Sequence, residues 1–164
     1  FSVIGGDDVQ PHGLCGSAMV DFLAMAQATG RLNQFGRFQP SAPSFTLTPG
    51  IVITEKDIEQ ILKAKAAVRA GIETLAQHCG TTPRKIFLAG GFAQYLDLAN
   101  AIAIGMLPPG DHVLVGNTSL GGAARLAVQP ESLPALIELS NQPRELALNT
   151  LENFENAYID ALML

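Results

Sequence analysis

Three observations predict an α/β layer fold. Short apolar strand-type runs alternate with helix-type segments along the chain. Ala and Gly are abundant while aromatics are few, with Phe 8, Tyr 2 and Trp 0, so the core is built of small and branched side chains in closely packed elements. The length, 164 residues, suits one domain. Hydrophobic residues make up 48% and charged residues only 15%, against roughly 25% charged in ordinary soluble domains. The material for a core is ample, and disorder over the whole length is excluded.

Taken in order, Ser2 to Ile4 reads as a short strand. After a turn at Pro11 and Gly13, Leu14 to Thr29 reads as a helix that stops near Gly30. Residues 30–50 are rich in Gly and Pro but also carry Phe35, Phe38 and Phe45. A linker rarely holds three Phe, so an ordered loop or hairpin is expected. The next helix is the best signalled: Thr54 can cap it, Glu55 and Asp57 fill its first turn, and apolar residues recur to Cys79 before Gly80 ends it. Lys85 to Ala89 is a short apolar run between a Pro-containing turn and two glycines, as expected of a buried strand in a covered sheet. A helix over about Asp97 to Gly105, a strand at His112 to Val115 and a helix at Leu120 to Val128 continue the rhythm. Pro130 to Leu139 reads as a helix, Glu145 to Leu148 as a strand, and Leu151 to Leu162 as a closing amphipathic helix.

Charge and cysteine content narrow the function. Lys+Arg 10 against Asp+Glu 15 gives −5, and no basic block provides a footprint for nucleic acid. Gly, Pro and polar residues interrupt every apolar run before the roughly 18 residues of a spanning helix. The N-terminal residues show neither a basic segment nor a long apolar one, and the reading expected there is the cut end of a longer protein. Cys15 and Cys79 are too few for a four-thiolate cluster and lack zinc spacing, which suggests a reduced, cytoplasmic setting. His12, His78 and His112 are isolated, so no metal site is assigned to them. No Ser-His-Asp signature supports a hydrolase, and Asp7-Asp8 reads as a solvated turn.

Four features could carry chemistry. On the Thr54 to Cys79 helix, Ile58, Ile61, Leu62, Val68, Ile72, Leu75, Ala76 and Cys79 form an apolar stripe, with Glu59, Lys63, Glu73 and Gln77 on the other side. Lys65 and Arg69, four apart, fall inside that stripe. A buried cation requires a carboxylate, a carbonyl array or an anionic ligand, unless its stem lies on apolar surface and its head reaches water or a local acid. Ala89-Gly90-Gly91-Phe92 follows a strand directly; bare main chain there admits a flat ligand, although a tight structural turn has the same sequence. Gly116-Asn117-Thr118-Ser119 leads into a helix, where an Asn or Ser cap is favoured over anion binding because no P-loop Lys follows. Gly13-Leu14-Cys15-Gly16-Ser17 could place a thiol at a helix start, but without a matched base a packed structural Cys is expected.

Several stretches together resemble the C-terminal part of the reductive activators of corrinoid-dependent proteins, iron–sulfur ATPases with the acetate-and-sugar-kinase, heat-shock-chaperone and actin fold. They are Gly13 to Ser17, Thr54 to Ile58, Ala64 to Gly71, Leu88 to Tyr95, Asn100 to Gly105, Val115 to Asn117, Gly121 to Leu126 and Phe154 to Leu162. The likeness spans nearly the whole chain. It departs at Ala18 and Ala93, where Gly is common in the family, and at Leu162-Met163-Leu164 in place of an aromatic-rich tail.

The resemblance implies a ribonuclease-H-like lobe of an actin-like ATPase: a mixed sheet flanked by helices, with Ile86–Ala89 and Val113–Val115 central. It implies that Gly90, Gly91, Phe92 and Gln94 line adenine, with Lys65 and Arg69 beside ribose or base. For the intact protein it implies ATP or ADP with Mg, an iron–sulfur cluster in an upstream domain, and ATP-driven reduction of cobalt(II) corrinoid to cobalt(I). The partner implied is a corrinoid-containing protein, and a homodimer is left open. A small-molecule kinase of the same superfamily and a non-catalytic docking module are the alternatives. The superfamily's phosphate loops lie in earlier sequence, so these 164 residues alone should bind ATP feebly and hydrolyse none.

Overall fold

Thr54 and Asp57 organise the longest element. In the computed structural model, which describes residues 3–6 and 8–164, the Asp57 carboxylate accepts from the Thr54 amide at 2.9 Å and the Thr54 hydroxyl accepts from the Asp57 amide at 3.3 Å. This reciprocal cap starts helix α2, Glu55–His78. Its side chains at Ile58, Leu62, Ala66 and Ala70 are buried and meet helix α1, Gly16–Ala28, and strand β2, Ile51–Thr54. Strand β1, Ser44–Thr48, pairs antiparallel with β2 in a hairpin. Phe38 and Phe45 stack at 6.5 Å, and Phe22 of α1 closes on Phe45 at 5.4 Å, so the Phe-bearing loop is folded onto the core as expected.

The second half continues with β3, Lys85–Ala89, the single turn α3, Gly91–Gln94, and α4, Leu98–Ala103. After β4, Asp111–Gly116, come α5, Thr118–Val128, α6, Leu133–Ser140, and α7, Phe154–Asp160. Strands β3 and β4 pair in parallel, Phe87 beside Val113 and Leu88 beside Leu114. Asp97 caps α4 through the Asn100 amide, and Asn117 caps α5 through the Leu120 amide at 3.1 Å; the capping reading of the Gly116 segment holds. The core lies between α1, α2, β2 and α4, around Val20, Leu23, Ile53, Ile58, Ala101 and Ile104. No helix among the described residues is long and apolar enough to cross a membrane.

Several expectations are corrected. Of Ser2 to Ile4, Ser2 lies outside the described residues and Ile4 is in a turn; Asp7 also lies outside, and Asp8 is an exposed turn residue. Glu145 to Leu148 is not a strand: the chain there runs irregularly into the 3₁₀ turn Leu148–Thr150, with no partner strand among the described residues to hold extended backbone. Strand β2 was not anticipated, since four residues next to a Pro-Gly turn and a helix cap are too short to show a period. The β3–β4 pair is neither covered nor central among the described residues: it has no further strand, and Phe87 is 64% exposed. On α2, Val68, Leu75 and Cys79 face solvent; the buried stripe runs instead through Ile58, Leu62, Lys65, Ala66, Ala70 and Thr74.

Candidate functional site

Strand β3 ends on Gly90, whose φ of +102° only glycine adopts without strain. The Gly90 amide donates to the Gly116 carbonyl at 2.8 Å, which ties the turn to the end of β4. A Cβ added at Gly90 or Gly91 would meet nothing within 4 Å, so the main chain is open on that side. Phe92 follows, 46% exposed, with its ring over Gly16 at the start of α1; a Cβ at Gly16 would lie 2.9 Å from the ring. Gln94 is exposed at the end of α3. Gly90, Gly91, Phe92 and Gln94 thus form one open edge where β3, β4 and α1 meet. Such a ledge suits a flat ring approaching the backbone.

The two cations have partners of their own. Lys65 is 1% exposed, and its ammonium donates to the carbonyls of Ala161 at 2.7 Å and Met163 at 2.5 Å, just past the end of α7. These carbonyls have no helical partner of their own, and the negative end of the helix dipole adds to the attraction. Burial holds the Lys65 pKa down at about 8, with repulsion from Arg69 adding to the effect. Arg69 donates through Nε to the Glu73 carboxylate at 2.5 Å, one helical turn away. The two predicted cations therefore have partners within the chain, a carbonyl array for one and an acid for the other. Glu73 does not stand apart from Arg69 as the helical wheel had it; their i,i+4 spacing was the signal for this pair. The carbonyls that hold Lys65 carry no signal in sequence, being main-chain atoms 96 and 98 residues away.

Cys15 is not packed. It is exposed at the N-cap of α1, its sulfur 3.2 Å from the Ser17 hydroxyl, and that hydrogen bond leads the causes that lower its pKa. Cys79 is also exposed. A cavity of about 390 Å³ lies between His12–Leu14, β2 and the first turns of α2, and none of the ledge residues lines it. No group of three or more metal-binding side chains occurs among the described residues.

The family model described as the C-terminal domain of RACo, the ASKHA domain, matches residues 1–164. The chain belongs to this family. Among similar proteins, the "[Co(II) methylated amine-specific corrinoid protein] reductase" of Methanosarcina barkeri is 32% identical over 156 residues, covering 90% of this chain and 28% of that protein. The "Corrinoid activation enzyme RamQ" of Eubacterium limosum is 32% identical over 158 residues, covering 79% of this chain and 26% of that protein. A solved "Reductive activator for corrinoid,iron-sulfur protein" superposes with a TM-score of 0.86 at 28% identity, over 99% of this chain and 30% of that one. The α/β ASKHA fold is thereby established, and this RACo C-terminal domain spans between a quarter and a third of the length of the relatives it matches.

The ledge fits the adenine side of a nucleotide: the backbone is bare at Gly90 and Gly91, and Phe92 offers an exposed ring beside them. For the phosphates the described residues offer no comparable cradle, since the helix start after β4 is already capped by Asn117.

Proposed function

We propose that this domain is the nucleotide-facing lobe of an ATP-dependent activator that reduces cobalt(II) corrinoid proteins to cobalt(I), with electrons supplied by an iron–sulfur domain elsewhere in the polypeptide. The observation that carries this reading is the likeness to the solved corrinoid activator across 99% of the chain at a TM-score of 0.86. The Co(II)-protein reductase among the relatives supports the same substrate class. ATP with Mg would supply the free energy, and the chain's own part is to receive the adenosine and relay its presence to the rest of the molecule.

In this reading Gly90, Gly91, Phe92 and Gln94 form the adenine wall. Arg69 reaches the ribose or base by leaving Glu73, an exchange of small cost because a partly exposed i,i+4 pair contributes only about 0.3–0.5 kcal/mol. Lys65 would have to give up two carbonyls to touch a ligand, so its contribution is to hold the C-terminal segment against α2. The phosphate-binding residues lie outside these 164.

The test is ATP hydrolysis by the full-length protein with and without a corrinoid protein and reductant. Turnover only when both are present supports the activator; phosphate transfer to a small molecule without them supports a kinase and overturns it. Nucleotide affinity of full-length Arg69→Met and Phe92→Ala, each expected to fall about tenfold, or by about 1.4 kcal/mol, separates the activator from a docking module, for which neither would change.

A further inference from the structure

Helix α7 contains no buried residue, yet it lies along α2. Its hold on the domain is concentrated just past its end. There the buried Lys65 ammonium donates to the carbonyls of Ala161 and Met163. The Leu164 amide donates to the Gln34 carbonyl at 2.9 Å, and the Leu164 side chain is partly buried against the core. Residues 154–164 thus form a strap fastened at one end by a few contacts. Elements with so little burial open locally well before the whole domain unfolds.

The fastening is electrostatically incomplete. Glu73 is engaged by Arg69, and the partners of Lys65 are neutral carbonyls. Burial therefore disfavours the charged form of Lys65, and Arg69 adds repulsion. A negative charge arriving nearby stabilises this ammonium more under the strap, in low dielectric, than in water after the strap has left. The difference favours the closed strap. Helix α4 sets the distance: it begins four residues after Gln94, the last residue of the ledge, and the turn that follows it lies beside the Lys65 ammonium, where a Cβ at Gly105 would stand 3.9 Å from Nζ. Its six residues rise about 9 Å, so ledge and clasp are one short helix apart.

Resting on the adenine-wall reading of Gly90 to Gln94, we propose that residues 154–164 are a nucleotide-sensitive strap: an anionic nucleotide at the ledge closes it over Lys65, and opening of the strap weakens nucleotide binding. The two effects are one coupling free energy seen from its two ends, so their factors are equal. The strap is then the element through which occupancy of the ledge reaches the far side of α2.

The test uses the full-length protein with ADP as the probe. Amide hydrogen–deuterium exchange should be slowed by saturating ADP about threefold or more in α7 and residues 161–164, the size expected of one charge acting across about 10 Å of partly wet protein. Lys65→Met should lose that slowing. Calorimetric titration of a variant lacking residues 161–164, which keeps Lys65 in place, should show ADP affinity lowered by the same factor. Tight ADP binding with unchanged α7 exchange overturns the strap and leaves the adenine wall standing. So does unchanged or increased ADP affinity when residues 161–164 are removed. ADP binding that Phe92→Ala leaves unaltered overturns the adenine wall itself, and the strap with it.

Discussion

Replacing Lys65 with Met should detach the C-terminal segment before it unfolds the domain. Two hydrogen bonds from a charged donor are lost, at about 1.5–3 kcal/mol each. Against this, burial lowers the pKa from 10.5 to about 8, so the charged form carries a penalty of about 3 kcal/mol that Met does not. The freed carbonyls of Ala161 and Met163 lie near the surface and can be hydrated, which limits the damage further. The difference is a net loss of at most about 3 kcal/mol, concentrated in α7. The pH dependence has a defined sign. The folded pKa lies below the unfolded one, so between about 8 and 10.5 the unfolded chain binds more protons, and the Lys65 contribution to stability grows as pH rises through that window. Urea midpoints from pH 7 to 11 for the native chain and Lys65→Met, with exchange rates of α7 amides, measure both effects. Should the native chain show no gain over the variant between pH 8 and 10.5, or α7 stay fully protected in the variant, the assignment of Lys65 as its buried anchor is wrong.

Three further substitutions follow from the geometry. Gly36→Ala puts a Cβ 2.7 Å from Leu62 and 2.8 Å from Ile58 at a φ of +70°, and should lower stability by about 1–3 kcal/mol in a denaturant titration. Thr54→Ala removes the α2 cap at a cost of about 1 kcal/mol. Because the Thr54 hydroxyl leads in holding the Asp57 pKa below its usual value, part of the native chain's stability is present above the ordinary Asp pKa and lost as pH falls, and an acid titration should show that loss reduced in the variant. Gly16→Ala drives the Phe92 ring from its place over α1; since the ring is half exposed it can swing out, so melting temperature should fall by only a few degrees while nucleotide affinity of the full-length protein falls more than that of the Thr54 variant.

Elements whose stability is local were legible in the sequence. The α2 cap needs only Thr54 and Asp57, three residues apart, and Asn117 likewise caps α5 from within its own segment. Strand β3 stood out because an apolar run between a turn and two glycines has few other conformations open to it. Strand β2 and the irregular 145–148 segment were missed for the converse reason: a four-residue run becomes a strand, or does not, according to what lies beside it. At the site, the helical period placed Lys65 in the buried stripe, while Glu73 was assigned to the other side although its i,i+4 spacing puts it on the same face as Arg69.

Sequence alone determined the α/β rhythm, the helix caps and the burial of a cation, since each follows from spacing within one segment. Tertiary structure decided what meets that cation and which strands lack cover. Those outcomes depend on main-chain atoms and surfaces brought together from nearly 100 residues apart, and a carbonyl oxygen looks the same at every position of a sequence until the fold has placed it.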